Sequence, residues 1–148
     1  GYQKLSESYF SIMREKKIPV LVMFVDLDRL KYINDTFGHE YGDFAIVSIA
    51  KAMQKHCDAD AITARTGGDE FIVLESAKDE EAGMLLADKI RAELSALRKK
   101  MQLPFDLSAS IGVVVAQPGG ENALESYVKR AEMLMYEEKT EKKVSRDS

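Results

Sequence analysis

Two acidic pairs occupy places where acids are expensive. The first is the pair in Asp26-Leu27-Asp28, which ends an apolar run beginning at Val20. The second is Asp69-Glu70 in "RTGGDEFIVL", residues 65–74, set between two glycines and a second apolar run. Acids are poor strand formers, and a carboxylate at the end of a buried strand is costly unless something positive neutralises it. Carboxylates from two strands, with a backbone carbonyl in the turn between them, make a hard-oxygen site suited to Mg²⁺. Such a site leaves positions for water and phosphate oxygens. Each pair alone has a plainer explanation: "GGDE" as an acidic hairpin tip in solvent, and Asp28 as the N-cap of the next helix. The cap is the reading taken for Asp28. For Asp26 with the "GGDE" acids, the metal reading is the better one. Side chains alternate after the turn, so Asp69 and Phe71 should face one way and Glu70 and Ile72 the other. At most one of these acids is then expected on the side where Asp26 emerges.

Between the pairs lies "KYINDTFGHEYGD". Lys31 can neutralise a phosphate, and Asn34, His39 and Asp43 cluster around a break at Gly38. An Asn and an Asp together can read a guanine edge, although helix capping explains any one of them equally well.

The elements that must position these groups follow from pattern. Spacing of Tyr2, Leu5, Tyr9, Phe10, Ile12 and Met13 predicts a first helix ending near "REKK". "IPVLVMFV" reads as a buried strand stopping at Asp26. "RLKYINDTFG" reads as a short helix with Leu30, Ile33 and Phe37 inward, closed by Gly38. "GDFAIVSIAKAMQKH" follows as a helix with Phe44, Ile46, Val47, Ala50 and Met53 for the core. "AITAR" and "EFIVLES" read as a hairpin through Gly67-Gly68. "DEEAGMLLADKIRAELSALRKKM" is a long helix with acids first and bases last, as its dipole prefers. "FDLSASIGVVVAQ" is a strand, "NALESYVKRAEMLMYEEK" the last helix, and "TEKKVSRDS" a solvated, fraying tail. The order αβααββαβα implies an α+β fold, with helices covering one face of a mainly antiparallel sheet in ferredoxin-like topology.

The chain has 148 residues, 45% hydrophobic and 31% charged, with a formal net charge of -4. That is the size of one globular domain, and its mild acidity argues against a general nucleic-acid binder. Its one cysteine, Cys57, excludes an internal disulfide framework and fits a reducing cytoplasm; a helix-end side chain without chemistry is its expected role. No apolar run approaches the length of a membrane span, so no direct membrane contact is expected.

At the acidic residues the sequence resembles the GGDEF domain of diguanylate cyclases. Gly67, Gly68, Asp69, Glu70 and Phe71 reproduce the signature, and "FVDLDRLKYINDTFGHEYGD" matches the family's upstream pattern. "SIGV" at 110–113 and "KRAEMLMYEEK" at 129–139 are similar to its last strand and last helix. The resemblance implies a fold related to nucleotide cyclase and polymerase palm domains. It implies that two GTP molecules are joined into cyclic di-GMP with release of pyrophosphate, in a homodimer whose chains each supply half a site. By position, Asp26, the Leu27 carbonyl and Asp69 would bind Mg²⁺ (or Mn²⁺), and Asp69 would also activate the 3′-hydroxyl. Glu70 would assist in the metal site. Asn34 and Asp43 match guanine readers and His39 a further substrate contact. Lys31, Lys139 and Lys143 match phosphate-binding positions, Leu30 lies beside them, and Gly67-Gly68 would let backbone amides approach phosphates.

Four departures qualify the likeness. Asp58-Ala59-Asp60-Ala61 stands where an Arg-x-x-Asp product site usually lies, so feedback by that route is not expected. Arg29 and Leu30 replace two aromatics; a solvated helix surface is the reading for Arg29. Lys143 stands for an arginine, keeping charge but losing the bidentate fork. The family's start motif is missing, which suggests the C-terminal module of a longer signalling protein. Two alternatives to an active cyclase remain: a GTP-binding regulatory domain without turnover, and an interaction module without Mg²⁺-dependent GTP affinity.

Overall fold

The run VLVMFVDL forms β1 (Val20–Leu27), and all of it is buried. The computed structural model describes residues 1–147; Ser148, the end of the expected tail, lies outside them. Around β1 the chain forms α1 (Tyr2–Glu15), α2 (Leu30–Phe37), α3 (His39–His56), β2 (Ile62–Arg65), β3 (Glu70–Ser76), α4 (Glu80–Met101), β4 (Ala109–Ala116) and α5 (Leu124–Asp147). The four strands make one sheet in the order β2-β3-β1-β4, with every neighbouring pair antiparallel. This is the expected ferredoxin-like α+β arrangement.

Helices cover both faces of the sheet, not one. Val20, Val22 and Phe24 pack with Phe10 of α1 and Ala131 and Met135 of α5. Leu21, Met23, Val25 and Leu27 pack on the opposite side with Ile49 and Met53 of α3 and Leu86, Ile90 and Leu94 of α4. An unbroken apolar run from Val20 to Val25, without polar alternation, is what two-sided burial requires. Each such side chain contributes roughly 1.5–3 kcal/mol. Their sum holds β1 in place although it carries a buried acid, whose desolvation costs several kcal/mol.

The structure departs from expectation at several points, and α3 begins at His39 instead of Gly42. β1 runs past Asp26 to Leu27, because Asp26 and Leu27 still pair with Ser110 and Ala109 of β4. Val47 of α3 is exposed; the helix turns Ala45, Ile49 and Ala52 inward instead. β4 begins at Ala109, and the preceding segment is irregular although Phe105 and Leu107 are buried. The segment TEKKVSRD is no fraying tail but the last two turns of α5.

α5 lies close over β4 at one point. A Cβ on Gly112 would stand 1.8 Å from the Ala131 carbonyl oxygen, so glycine is required for this approach. Among the described residues no helix is long and apolar enough to cross a membrane. Cys57 ends α3 as expected; burial, then the charges of Glu75 and Asp58, push its thiol up to about 12, leaving it unreactive.

Candidate active site

The pairing register brings the two acidic pairs together. Asp26 stands opposite Glu70 in the β1–β3 ladder, and directly opposed residues of an antiparallel pair share a face. Asp69 precedes β3, so strand alternation does not bind it. Its carbonyl accepts from the Leu27 N–H at 3.0 Å, fixing the turn against the end of β1. Carboxylate oxygens of Asp26, Asp69 and Glu70 accordingly lie within 4.8 Å of one another. The expectation that only one of Asp69 and Glu70 could join Asp26 is therefore corrected.

Arg65 holds the glycine turn closed. Its guanidinium donates to the carbonyls of Gly67 at 3.1 Å and Gly68 at 2.6 Å, consuming backbone acceptors of the turn. The sequence marked Arg65 only as the residue before the signature.

Burial, then the charge of Asp69, raises the carboxyl of Asp26 to about 7, against the opposing pull of Lys139. Glu70 is raised in the same direction, by burial first and then by Asp69 and Glu132. Burial and crowding with like charge disfavour the ionised forms of Asp26 and Glu70, and a cation bound between them would offset that cost.

Asp28 behaves differently from its expected role. The N-cap position of α2 belongs to Arg29, without a side-chain cap hydrogen bond. Asp28 instead accepts from the hydroxyls of Ser108 at 2.8 Å and Ser110 at 2.7 Å, and from Lys142 at 2.6 Å. Burial works against its charge, but the bonds from Lys142, Ser110 and Ser108 outweigh it and hold its carboxyl below the usual value. Lys142 also donates to the Ala109 carbonyl at 2.9 Å and pairs with Glu138 at 2.8 Å. Glu138 in turn holds Arg91 of α4 and the Ile111 N–H of β4. This strut from the end of α5 was invisible in the sequence, where Lys142 sat in a run read as solvated. A third cation, Lys139, donates to the Leu27 carbonyl at 3.2 Å.

The remaining site candidates lie along α2, α3 and α5. Lys31 is exposed in the first turn of α2, and Leu30 packs partly into the core. Asn34 backs onto Gly42, where a Cβ would stand 1.8 Å from its Oδ1; that oxygen is buried without a hydrogen-bond partner. His39 and Asp43 are exposed near the start of α3, beyond Gly38. Gly67 and Gly68 are exposed at the turn, and Lys143 is exposed one residue past Lys142. Arg29 is exposed as expected, yet its guanidinium stacks 3.9 Å over the Tyr32 ring from a left-handed backbone (φ 58°).

The family profile described as "Diguanylate cyclase, GGDEF domain" matches residues 2–145. The chain is 36% identical over 127 residues to the probable diguanylate cyclase DgcT of Escherichia coli, covering 84% of this chain and 28% of DgcT. It is 36% identical over 125 residues to the diguanylate cyclase VdcA of Vibrio cholerae, covering 81% of this chain and 36% of VdcA. The fold superposes on the GGDEF domain of YfiN (or TpbB) from Pseudomonas aeruginosa with a TM-score of 0.80 and 30% identity, covering 91% and 84% of the two chains. The chain thus spans about a third of the length of these curated relatives.

Proposed function

The chain belongs to the GGDEF diguanylate cyclase family, and from that premise we propose that it condenses two GTP molecules into cyclic di-GMP and pyrophosphate, as a metal-dependent homodimer. The observation that carries this reading is the convergence of carboxylate oxygens of Asp26, Asp69 and Glu70 within 4.8 Å of one another, with Lys139 contacting both Asp26 and the Leu27 carbonyl. The donor set fits a hard divalent cation such as Mg²⁺ or Mn²⁺: carboxylates plus a backbone carbonyl, with Asp26 Oδ1 buried and accepting no hydrogen bond. Asp26, Leu27 and Asp69 would hold the ion, with Glu70 assisting. When bound, it would offset triphosphate charge and make the 3′-hydroxyl more acidic.

The protein's own groups do the rest. Lys31, Lys139 and Lys143 take phosphate charge, and Gly67-Gly68 leaves room for phosphates beside the turn. Asp69 takes the proton of the 3′-hydroxyl as its oxygen attacks the α-phosphorus in line. One P–O bond forms, the bond to pyrophosphate breaks, and the step occurs twice per product. Asn34, Asp43 and His39 read the guanine side. A ligand donor at the unpartnered Asn34 Oδ1 would relieve a desolvation cost of about 1–3 kcal/mol.

Calorimetric titration with GTP, with and without Mg²⁺ and with ATP as control, tests the reading. Metal-dependent, guanine-selective binding is expected, and one chain's half-site suffices for it. Absence of binding would sink the catalytic reading and favour an interaction module. Turnover on a dimerised protein, abolished by Asp69→Asn, is the second expected outcome; surviving turnover would refute the role of Asp69.

A further inference from the structure

We propose that Lys139 occupies the divalent-cation position in the metal-free protein and is exchanged for the ion when substrate binds, coupling metal and triphosphate binding through one side chain. The inference rests on the metal reading above. Lys139 Nζ lies 3.3 Å from Asp26 Oδ1, 3.2 Å from the Leu27 carbonyl oxygen and 3.3 Å from Asp28 Oδ1. The first two are oxygens assigned to the ion. A Mg²⁺ ion sits about 2.1 Å from its ligands, so ion and ammonium compete for the same oxygens.

The lysine is loosely held there. Its contacts exceed the roughly 2.7–2.9 Å of a good charge-assisted hydrogen bond, and Asp26 Oδ1 receives its charge without a hydrogen bond. Its side chain is 26% exposed while that of Asp26 is 7% exposed, so the lysine borders solvent and the carboxylate is enclosed.

Lys142 makes the exchange possible. One turn along α5, it holds Asp28 Oδ2 at 2.6 Å, beside the two serine hydroxyls. When Lys139 leaves, Asp28 stays paired, and only Asp26 and the Leu27 carbonyl are uncovered. The freed ammonium then stands beside the incoming phosphates, where its charge is used again. Linkage makes the coupling reciprocal: whatever draws Lys139 outward tightens metal binding.

Mn²⁺ titration of the nucleotide-free protein, by calorimetry or electron paramagnetic resonance, tests this. Lys139→Met should bind Mn²⁺ about tenfold or more tightly than wild type, within the usual range of coupling. Lys139→Gln serves if the methionine variant misfolds. Lys142→Met, which removes an equal charge nearby, should give no such gain, and Asp69→Asn should abolish binding. Equal or weaker binding by the Lys139 variants, or an equal gain in Lys142→Met, overturns the exchange. If wild type binds and Asp69→Asn does not, the metal site stands even when the exchange fails. If no protein binds Mn²⁺, the metal reading falls and the exchange with it.

Discussion

Replacing Lys142 with methionine keeps most of the side chain's apolar length and removes one ammonium. That ammonium serves the buried Asp28 carboxylate at 2.6 Å, the Ala109 carbonyl at 2.9 Å and Glu138 at 2.8 Å. Stripping one partner from a fully buried ion pair costs about 3–5 kcal/mol. Lys142 is 32% exposed, which screens the pair, and Ser108, Ser110 and Lys139 still serve Asp28. A loss of about 2 kcal/mol is the reasonable value, that of a hydrogen bond to a charged group. For a chain of this size that lowers Tm by about 4–8 °C. The sign with pH follows from the depressed carboxyl of Asp28. Its stabilisation is complete above the unfolded carboxyl value of about 3.9 and is lost as pH falls through the lower folded value. The gap between wild type and variant should therefore be full at neutral pH and close in acid. Thermal melts of both proteins across pH measure it. A gap under about 1 °C at neutral pH, or one that widens in acid, would refute the account of this strut.

Metal binding should also depend on pH. The Asp26 carboxyl, raised to about 7 by burial and by Asp69, must shed its proton to hold an ion. Apparent Mn²⁺ affinity should rise about tenfold per pH unit below 7 and flatten above it; constant affinity across that range would be the contrary result. The same raised value means that Asp26 favours the metal-free fold below its unfolded pKa, a contribution lost as pH rises through about 7. Gly112→Ala should destabilise severely, because its Cβ would meet the Ala131 carbonyl at 1.8 Å and α5 would have to lift off β4. Chemical denaturation of the variant reads this, and a loss below about 1 kcal/mol would show that the two elements are less tightly apposed.

Local signals carried much of the architecture. Six consecutive apolar positions, Val20 to Val25, made β1 legible, and the glycine pair made the β2–β3 hairpin legible. The same residues already implied two-sided burial, which the one-face reading of the helices overlooked. Residues that make contact near their own place in the chain were placed well. Asp26 was marked because an acid at the end of an apolar strand is costly in any context.

What failed depended on partners distant in sequence. Asp69 and Glu70 both reach Asp26 because the Leu27 N–H anchors the turn ahead of β3, a tertiary bond that no alternation rule contains. Asp28 looked like a helix cap because its real partners, Ser108, Ser110, Lys139 and Lys142, lie 80 to 114 residues away. The run "TEKKVSRDS" is charged, and charge by itself indicates only contact with water. Whether such a residue meets water or a buried carboxylate depends on where its helix passes. Here α5 crosses the sheet against Gly112 and carries Lys139 and Lys142 to the end of β1. The sequence determined that acids would gather at the ends of two strands. Only the packing of α5 decided which cations face them, because the energy of an ion pair depends on distance and solvent exclusion, and neither is a local property of the chain.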